Sequence, residues 1–166
     1  MPNQSLLFST GAACFSPCER YRFTLSRWFK SGIGMVNFIM LNPSTADESQ
    51  DDPTIRRCIG FAQAWNAAEL VVTNLFALRA TDPRELRCVA DPVGPQNDDW
   101  ILDTARQADR VVCAWGNHGQ LGGRGSAVAT LLRDAGVELH ALKVTKAGQP
   151  QHPLYLASSV ESRVWR

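Results

Sequence analysis

Met35-Val-Asn-Phe-Ile-Met-Leu41 runs directly into Asn42-Pro-Ser-Thr-Ala-Asp47. Seven mostly apolar residues in a row predict a buried strand. The Asn-Pro-Ser-Thr group that follows predicts an abrupt polar turn. A buried strand that stops this way presents polar groups at one edge of a sheet, and in open α/β folds that edge is where ligands bind. On this reading Asn42 stands at the floor of any site.

Upstream, Tyr21-Arg-Phe-Thr-Leu-Ser26 alternates apolar and polar, the period of a half-buried strand, which Trp28 and Phe29 extend. Ser31-Gly-Ile-Gly34 is a turn. This strand and the 35–41 strand are therefore predicted to form an antiparallel hairpin, and residues 1–20 read as irregular. Downstream, Asp52-Pro53 predicts a helix start with Asp as cap and Pro in the first turn. Ile55, Ile59, Ala62 and Trp65 give that helix one apolar face. Leu70-Val-Val-Thr-Asn74 predicts a second core strand, Asp82-Pro-Arg-Glu85 a short helix start, and Asn97 the cap of a helix reaching about Ala108. Arg110-Val-Val-Cys-Ala-Trp115 predicts a third strand, Ser126 the cap of another helix, and Val137–Leu142 a fourth strand. Strands alternating with helices of about 12 residues are the signature of βαβ units. The expected fold is a three-layer α/β/α domain over residues 21–166, with a central, mainly parallel four-stranded sheet and an N-terminal hairpin strand.

Composition bounds the function. The 166 residues fit one domain, and 45% apolar with 20% charged residues is ordinary for a globular protein. No apolar run approaches the ~20 residues of a membrane helix, and no secretory leader is evident. A net charge of +1 offers no general attraction to nucleic acid. Of 17 basic residues only Lys30, Lys143 and Lys146 are lysines, so arginine dominates, which suits bidentate contacts to phosphate or carboxylate. Cys14, Cys18, Cys58, Cys88 and Cys113 are odd in number, which points to reduced thiols in a cytoplasm. No His/Cys set has zinc spacing, and neither a Walker loop nor a G-x-G-x-x-G is present. No cofactor, metal or membrane partner is expected, and no feature of the sequence selects an oligomeric state.

If the sheet is parallel, the turns at Asn42-Pro-Ser-Thr, Thr73-Asn74, Gly116-Asn-His118 and Lys146–His152 all lie at one edge. Asn42 and Asn74 each carry an amide that matches the O=C–N–H edge of a pyrimidine; each would equally close a turn. A buried amide left unpaired costs roughly 1–3 kcal/mol, so each must bond to something. His152, before Pro153, can stabilise a developing anion or shuttle a proton, or be a solvated loop residue; His118 has the same readings, and His140 is structural. Asp47, Glu48, Asp51 and Asp52 fit a general base orienting a water, a pair of Mg²⁺ ligands, or a solvated loop with Asp52 as cap. Gly119-Gln-Leu-Gly-Gly-Arg-Gly125 is glycine-rich, which fits a mobile loop or backbone N–H groups reaching a phosphate beside Arg124.

Leu41-Asn-Pro-Ser-Thr-Ala-Asp47, Asp52-Pro-Thr-Ile-Arg-Arg57, Asn74-Leu-Phe-Ala77, Val93-Gly-Pro95, Ala114-Trp-Gly116 and Lys146…His152-Pro-Leu-Tyr155 together resemble an uncharacterised bacterial and phage family, domain of unknown function sixteen-forty-three. The motif order more distantly resembles the uracil-DNA glycosylase superfamily. There a first strand ends in a Gly-x-Asn-Pro-Gly-like turn, a second in a base-reading Asn, and a late His-Pro-Ser turn stabilises the leaving base. The resemblance implies Asn42, with Pro43 and Ser44, as the water-positioning turn, Asn74 (with Thr73) as base reader and His152 as stabiliser of the base anion. Apart from the resemblance, Asp47 is a candidate catalytic residue as a general base orienting a water, and Lys146 and His118 are candidate ligand contacts. The aromatic stacker has no clear counterpart, and Ile55 or Phe76 is the candidate. The chain departs from the pattern at Ser44, where glycine is usual, and at Leu154, where serine is usual. The expected function is a glycosylase-like hydrolase or binder acting on a nucleobase or nucleotide, in DNA or free. Two alternatives are a non-catalytic nucleotide- or nucleic-acid-binding module and a metal-dependent phosphate hydrolase built on the 47–52 acidic loop.

Overall fold

The computed structural model describes residues 8–166. In chain order the elements are β1 (Phe8–Phe15), β2 (Arg22–Phe29), β3 (Met35–Met40), α1 (Pro53–Ala64), β4 (Glu69–Asn74), α2 (Asn97–Gln107), β5 (Arg110–Cys113), α3 (Arg124–Asp134), β6 (Leu139–Ala141) and β7 (Arg163–Val164). Short 3₁₀ turns cover Pro83–Arg87, Asn117–Gly123 and Pro153–Tyr155. The fold is mixed α/β around one seven-stranded sheet, ordered β1-β2-β4-β3-β5-β6-β7. β3 pairs in parallel with β4 and with β5, and β5 with β6. The pairs β1–β2, β2–β4 and β6–β7 are antiparallel.

Three expectations are corrected here. The sheet is larger than four strands plus one, and half of its pairings are antiparallel. β2 does not form a hairpin with β3: both edges of β3 are taken by β4 and β5, so β2 lies on the far side of β4, with Leu25 opposite Val72. Residues 1–20 are not uniformly irregular. Residues 1–7 lie outside the described residues, but Phe8–Phe15 forms β1 along the edge of β2.

Strand alternation divides the core between the two faces of the sheet. Val36, Phe38, Met40, Leu70, Val72 and Val112 pack with Ile55, Cys58, Ile59, Phe61 and Ala62 of α1. Ile39, Val111, Cys113 and Leu139 pack on the other face with Ile101 and Ala105 of α2 and Val128, Ala129 and Leu132 of α3. Asn37 is fully buried in β3, and its amide donates to Val71 O at 3.0 Å and Thr73 Oγ1 at 3.3 Å.

Of the three expected α-helix N-caps, only the one at α1 forms as read. Asp52 caps it by accepting from Ile55 N at 2.8 Å, and Pro53 opens the helix. Asn97 does not cap α2. That position falls to Gln96, in a left-handed conformation, while the Asn97 amide reaches back to Asn74 O at 2.9 Å and Leu75 O at 3.2 Å. Ser126 does not cap α3 either, which starts two residues earlier after Gly123. Among the described residues no helix is long and apolar enough to cross a membrane.

Candidate functional site

The parallel strands β3, β4 and β5 end together at Met40, Asn74 and Cys113. The turns that leave them, joined by β2's first residue and the 143–155 segment, enclose a cleft of about 690 Å³. Asn42, Ser44, Ile55, Asn74, His118, Lys146 and His152 all line it. Residues more than 100 positions apart are thus brought to one edge, as the sheet geometry requires.

Asn74 is the most informative of them. It is 1% exposed, and neither Nδ2 nor Oδ1 has a hydrogen-bond partner among the described residues. Its backbone is fixed by the Asn97 bond and by Leu75 N donating to Met40 O at 2.9 Å. A buried amide that leaves both ends unmet carries a desolvation penalty of roughly 1–3 kcal/mol. It is a matched donor–acceptor pair on the wall of an open cleft.

His152 caps the 3₁₀ turn that follows it. Its Nδ1 accepts from Leu154 N at 3.2 Å, which leaves the ring proton of the neutral form on Nε2. Burial pushes its pKa below the ordinary 6.5, opposed by the charge of Asp52. The turn is anchored from three sides. Arg57 Nη2 donates to Leu156 O, Gly116 N donates to Pro150 O at 2.7 Å, and Gln151 N donates to Lys143 O at 2.8 Å. Asn42 is half-committed, its Nδ2 donating to Pro43 O at 3.0 Å and Ala80 O at 2.7 Å, and its Oδ1 accepts no hydrogen bond among the described residues.

Four expected site residues do not line the cleft. The Asp47 carboxylate turns into its own loop and accepts from Ser49 N at 2.9 Å and Gln50 N at 2.8 Å, bonds that hold its pKa below the usual carboxylate value. Pro43 is buried beneath the turn, its carbonyl accepting from Ala80 N at 2.9 Å. Thr73 lies on the opposite face of β4 from Asn74 and accepts from Asn37. Phe76 is buried in the core on the α2/α3 face. Two of the other acids are also engaged: Asp51 pairs with Arg27 at 2.9 Å and Asp52 caps α1. Among the described residues no group of three His, Cys, Asp or Glu could hold a metal, so the acidic loop does not converge on an ion.

Several cleft residues stand outside the turns that mark the site. Arg22 lies at the inner end, only 2% exposed. Its alternation in Tyr21-Arg-Phe-Thr marks it as polar-facing, and nothing local says that this face meets a cleft. Asp52, read as a cap, lines the cleft as well. Tyr155, 79% exposed, stands at the mouth with its ring centroid 6.1 Å from that of His152. Trp115 forms part of the wall, its Nε1 donating to Gln149 Oε1 at 3.1 Å. The glycine-rich loop serves that indole rather than a phosphate: a Cβ on Gly119 would lie 2.0 Å from Trp115 Cδ1, and one on Gly125 2.9 Å from its Nε1. Arg124 is structural too, donating to Leu75 O at 2.9 Å and pairing with Asp98 at 2.6 Å. All five cysteines are free thiols; burial pushes those of Cys58 and Cys113 up.

A family model described as "Protein of unknown function (DUF1643)" matches residues 22–154, from the start of β2 to the turn after His152. No curated protein and no solved structure matches the chain.

Proposed function

The chain belongs to the DUF1643 family, and for this member we propose a glycosylase-like site that takes a nucleobase or nucleotide into the cleft by its amide edge. The observation that carries the reading is Asn74, whose two buried amide atoms are both unpartnered. Nδ2 donates to a ring carbonyl and Oδ1 accepts the adjacent ring N–H, which satisfies both atoms at once. Tyr155 offers an exposed aromatic face at the mouth for stacking, a contact that contributes roughly 1–3 kcal/mol per base.

The catalytic form of the proposal cleaves the N-glycosidic bond. A water attacks the sugar carbon, the carbon–nitrogen bond breaks, and its electron pair leaves with the base. Asn42 Oδ1 and the Asp52 carboxylate oxygen not used in the cap are the acceptors for that water and its proton. The neutral His152 ring donates Nε2–H to the base oxygen on which negative charge develops, stabilisation of the oxyanion type. A base in duplex DNA would first be flipped out.

Base release from uracil-containing single-stranded and duplex DNA and from free nucleotides tests the chemistry. Release that is lost in Asn74→Ala and His152→Gln supports it, and no release from any substrate by pure protein removes the catalytic form. A second reading, a non-catalytic binding module, is favoured by the commitment of the Asn42 amide to backbone carbonyls and by the inward turn of Asp47. Ligand-induced rises in Tm without turnover would select it.

A further inference from the structure

Arg22 stands apart among the charged residues. It is 2% exposed and lines the inner end of the cleft. Nη1 donates to Ala46 O at 2.8 Å, but Nε is buried without a partner. Among the described residues no carboxylate forms an ion pair with it, whereas the equally buried Arg27 pairs with Asp51 and bonds three carbonyls. Other charges act on it in both directions: Asp52 and Asp47 favour its cation, and Arg79 and Arg27 oppose it. Burial pushes its pKa down to about 10. A guanidinium taken out of water is tolerated when an opposite charge and full hydrogen bonding compensate it. Here both are incomplete, and the residue lines the cleft.

We propose that Arg22 is an anion-binding subsite at the inner end of the cleft, so that the ligand is a free anionic nucleobase derivative or mononucleotide. The inference rests on the reading of Asn74 as the base contact. Arg22 opens β2, beside the strand that ends in Asn74, with Arg22 N donating to Ala77 O at 2.9 Å. One ligand therefore spans both: its planar amide edge meets Asn74, and an anionic oxygen group meets the guanidinium. That group is a carboxylate on the ring or a phosphate on the sugar. Guanidinium geometry suits either. A duplex phosphate does not reach this position, because Arg22 lines the cleft at 2% exposure rather than an exposed face.

Calorimetric titration of the wild-type chain with uracil, orotate, uridine, uridine monophosphate and inorganic phosphate tests it. Orotate is expected to bind roughly ten- to hundredfold more tightly than uracil, or uridine monophosphate than uridine, the range of a charge-assisted hydrogen bond. The pair that shows the preference identifies the source of the anion. Arg22→Gln should abolish that preference while leaving the neutral partner's affinity within about twofold; Arg22→Lys should keep part of it. Asn74→Ala should weaken neutral and charged ligands alike. Equal binding of neutral and charged partners by wild type, a comparison that needs no variant to fold, overturns the subsite while leaving the Asn74 reading intact. A preference that survives in Arg22→Gln also overturns it. Binding of phosphate that depends on Arg22, with no added affinity from any base, upholds the subsite and overturns the base-binding reading. No binding of any probe overturns both.

Discussion

Asn74 carries a buried amide with no hydrogen-bond partner among the described residues, a penalty that the proposed ligand would relieve. Asn74→Leu removes the two unmet polar atoms and extends the apolar wall formed by Met40, Ile55 and Val72. It is expected to raise stability by about 1–2 kcal/mol in denaturant unfolding while eliminating ligand binding. A loss of stability would show that the amide is satisfied in the folded protein. Asn97→Ala has the opposite sign. It strips the carbonyls of Asn74 and Leu75 of their donor, and a loss of roughly 1–3 kcal/mol is expected, read by the same measurement. His152 sets a pH dependence. Its folded pKa lies below 6.5, so the unfolded chain binds the proton more readily. Its contribution is therefore present above that value and is lost as pH falls through the folded pKa. Unfolding profiles of wild type and His152→Gln between about pH 7 and 5 should converge toward the acid end. At this scale the sequence was legible where a polar residue ended an apolar run, as at Asn42 and Asn74, and where turn formers flanked a histidine, as at His152. It was silent on Thr73, whose partner Asn37 lies across the sheet, and on Asp47, whose carboxylate is taken by Ser49 and Gln50 of its own loop. Arg22 was marked only as a polar position in an alternating strand, with nothing local to tie it to the cleft.

At the scale of elements, the apolar runs located strands β3 to β6 to within a residue or three, because a buried strand must be apolar whatever its neighbours. Pairing partners were less legible. The hairpin expected from a short glycine turn did not form, since β3 is committed to β4 and β5 on both edges. Caps failed at α2 and α3 for the same reason. Asn97 bonds across to the end of β4, and the start of α3 is set by Gly125 packing against Trp115. The glycines make this testable. Gly60 lies on the exposed side of α1 with nothing within 4 Å of an added Cβ. Gly60→Ala should stabilise by roughly 0.5–1 kcal/mol. Gly119→Ala drives a methyl into Trp115 and should destabilise by about 1–3 kcal/mol or more. Denaturant titration of the pair reads both, and equal effects would contradict the close approach at Trp115.

For the whole molecule, the family match spans β2 to the turn after His152 and leaves out the two outermost strands, β1 and β7. β7 contributes more than its two residues of pairing. Trp165 N donates to Leu139 O at 2.8 Å, its ring meets Trp115 edge-on at 5.5 Å, and Arg133 lies over it at 4.9 Å. Removing residues 162–166 should lower Tm by roughly 4–8 °C, the shift expected of ~2 kcal/mol in a chain of this length. Scanning calorimetry measures it. The α/β class was legible because strand–helix alternation is local. The extent of the sheet was not, because edge strands are short and their partners lie far along the chain. Of the five tryptophans, only Trp115 lines the cleft. Its indole is pinned by Gln149 and flanked by glycines, so it cannot turn away when the cleft fills. An entering aromatic ligand changes the polarity beside that ring and brings a quencher near it. The protein thus carries its own optical reporter of occupancy, and its intrinsic emission should follow binding without any label.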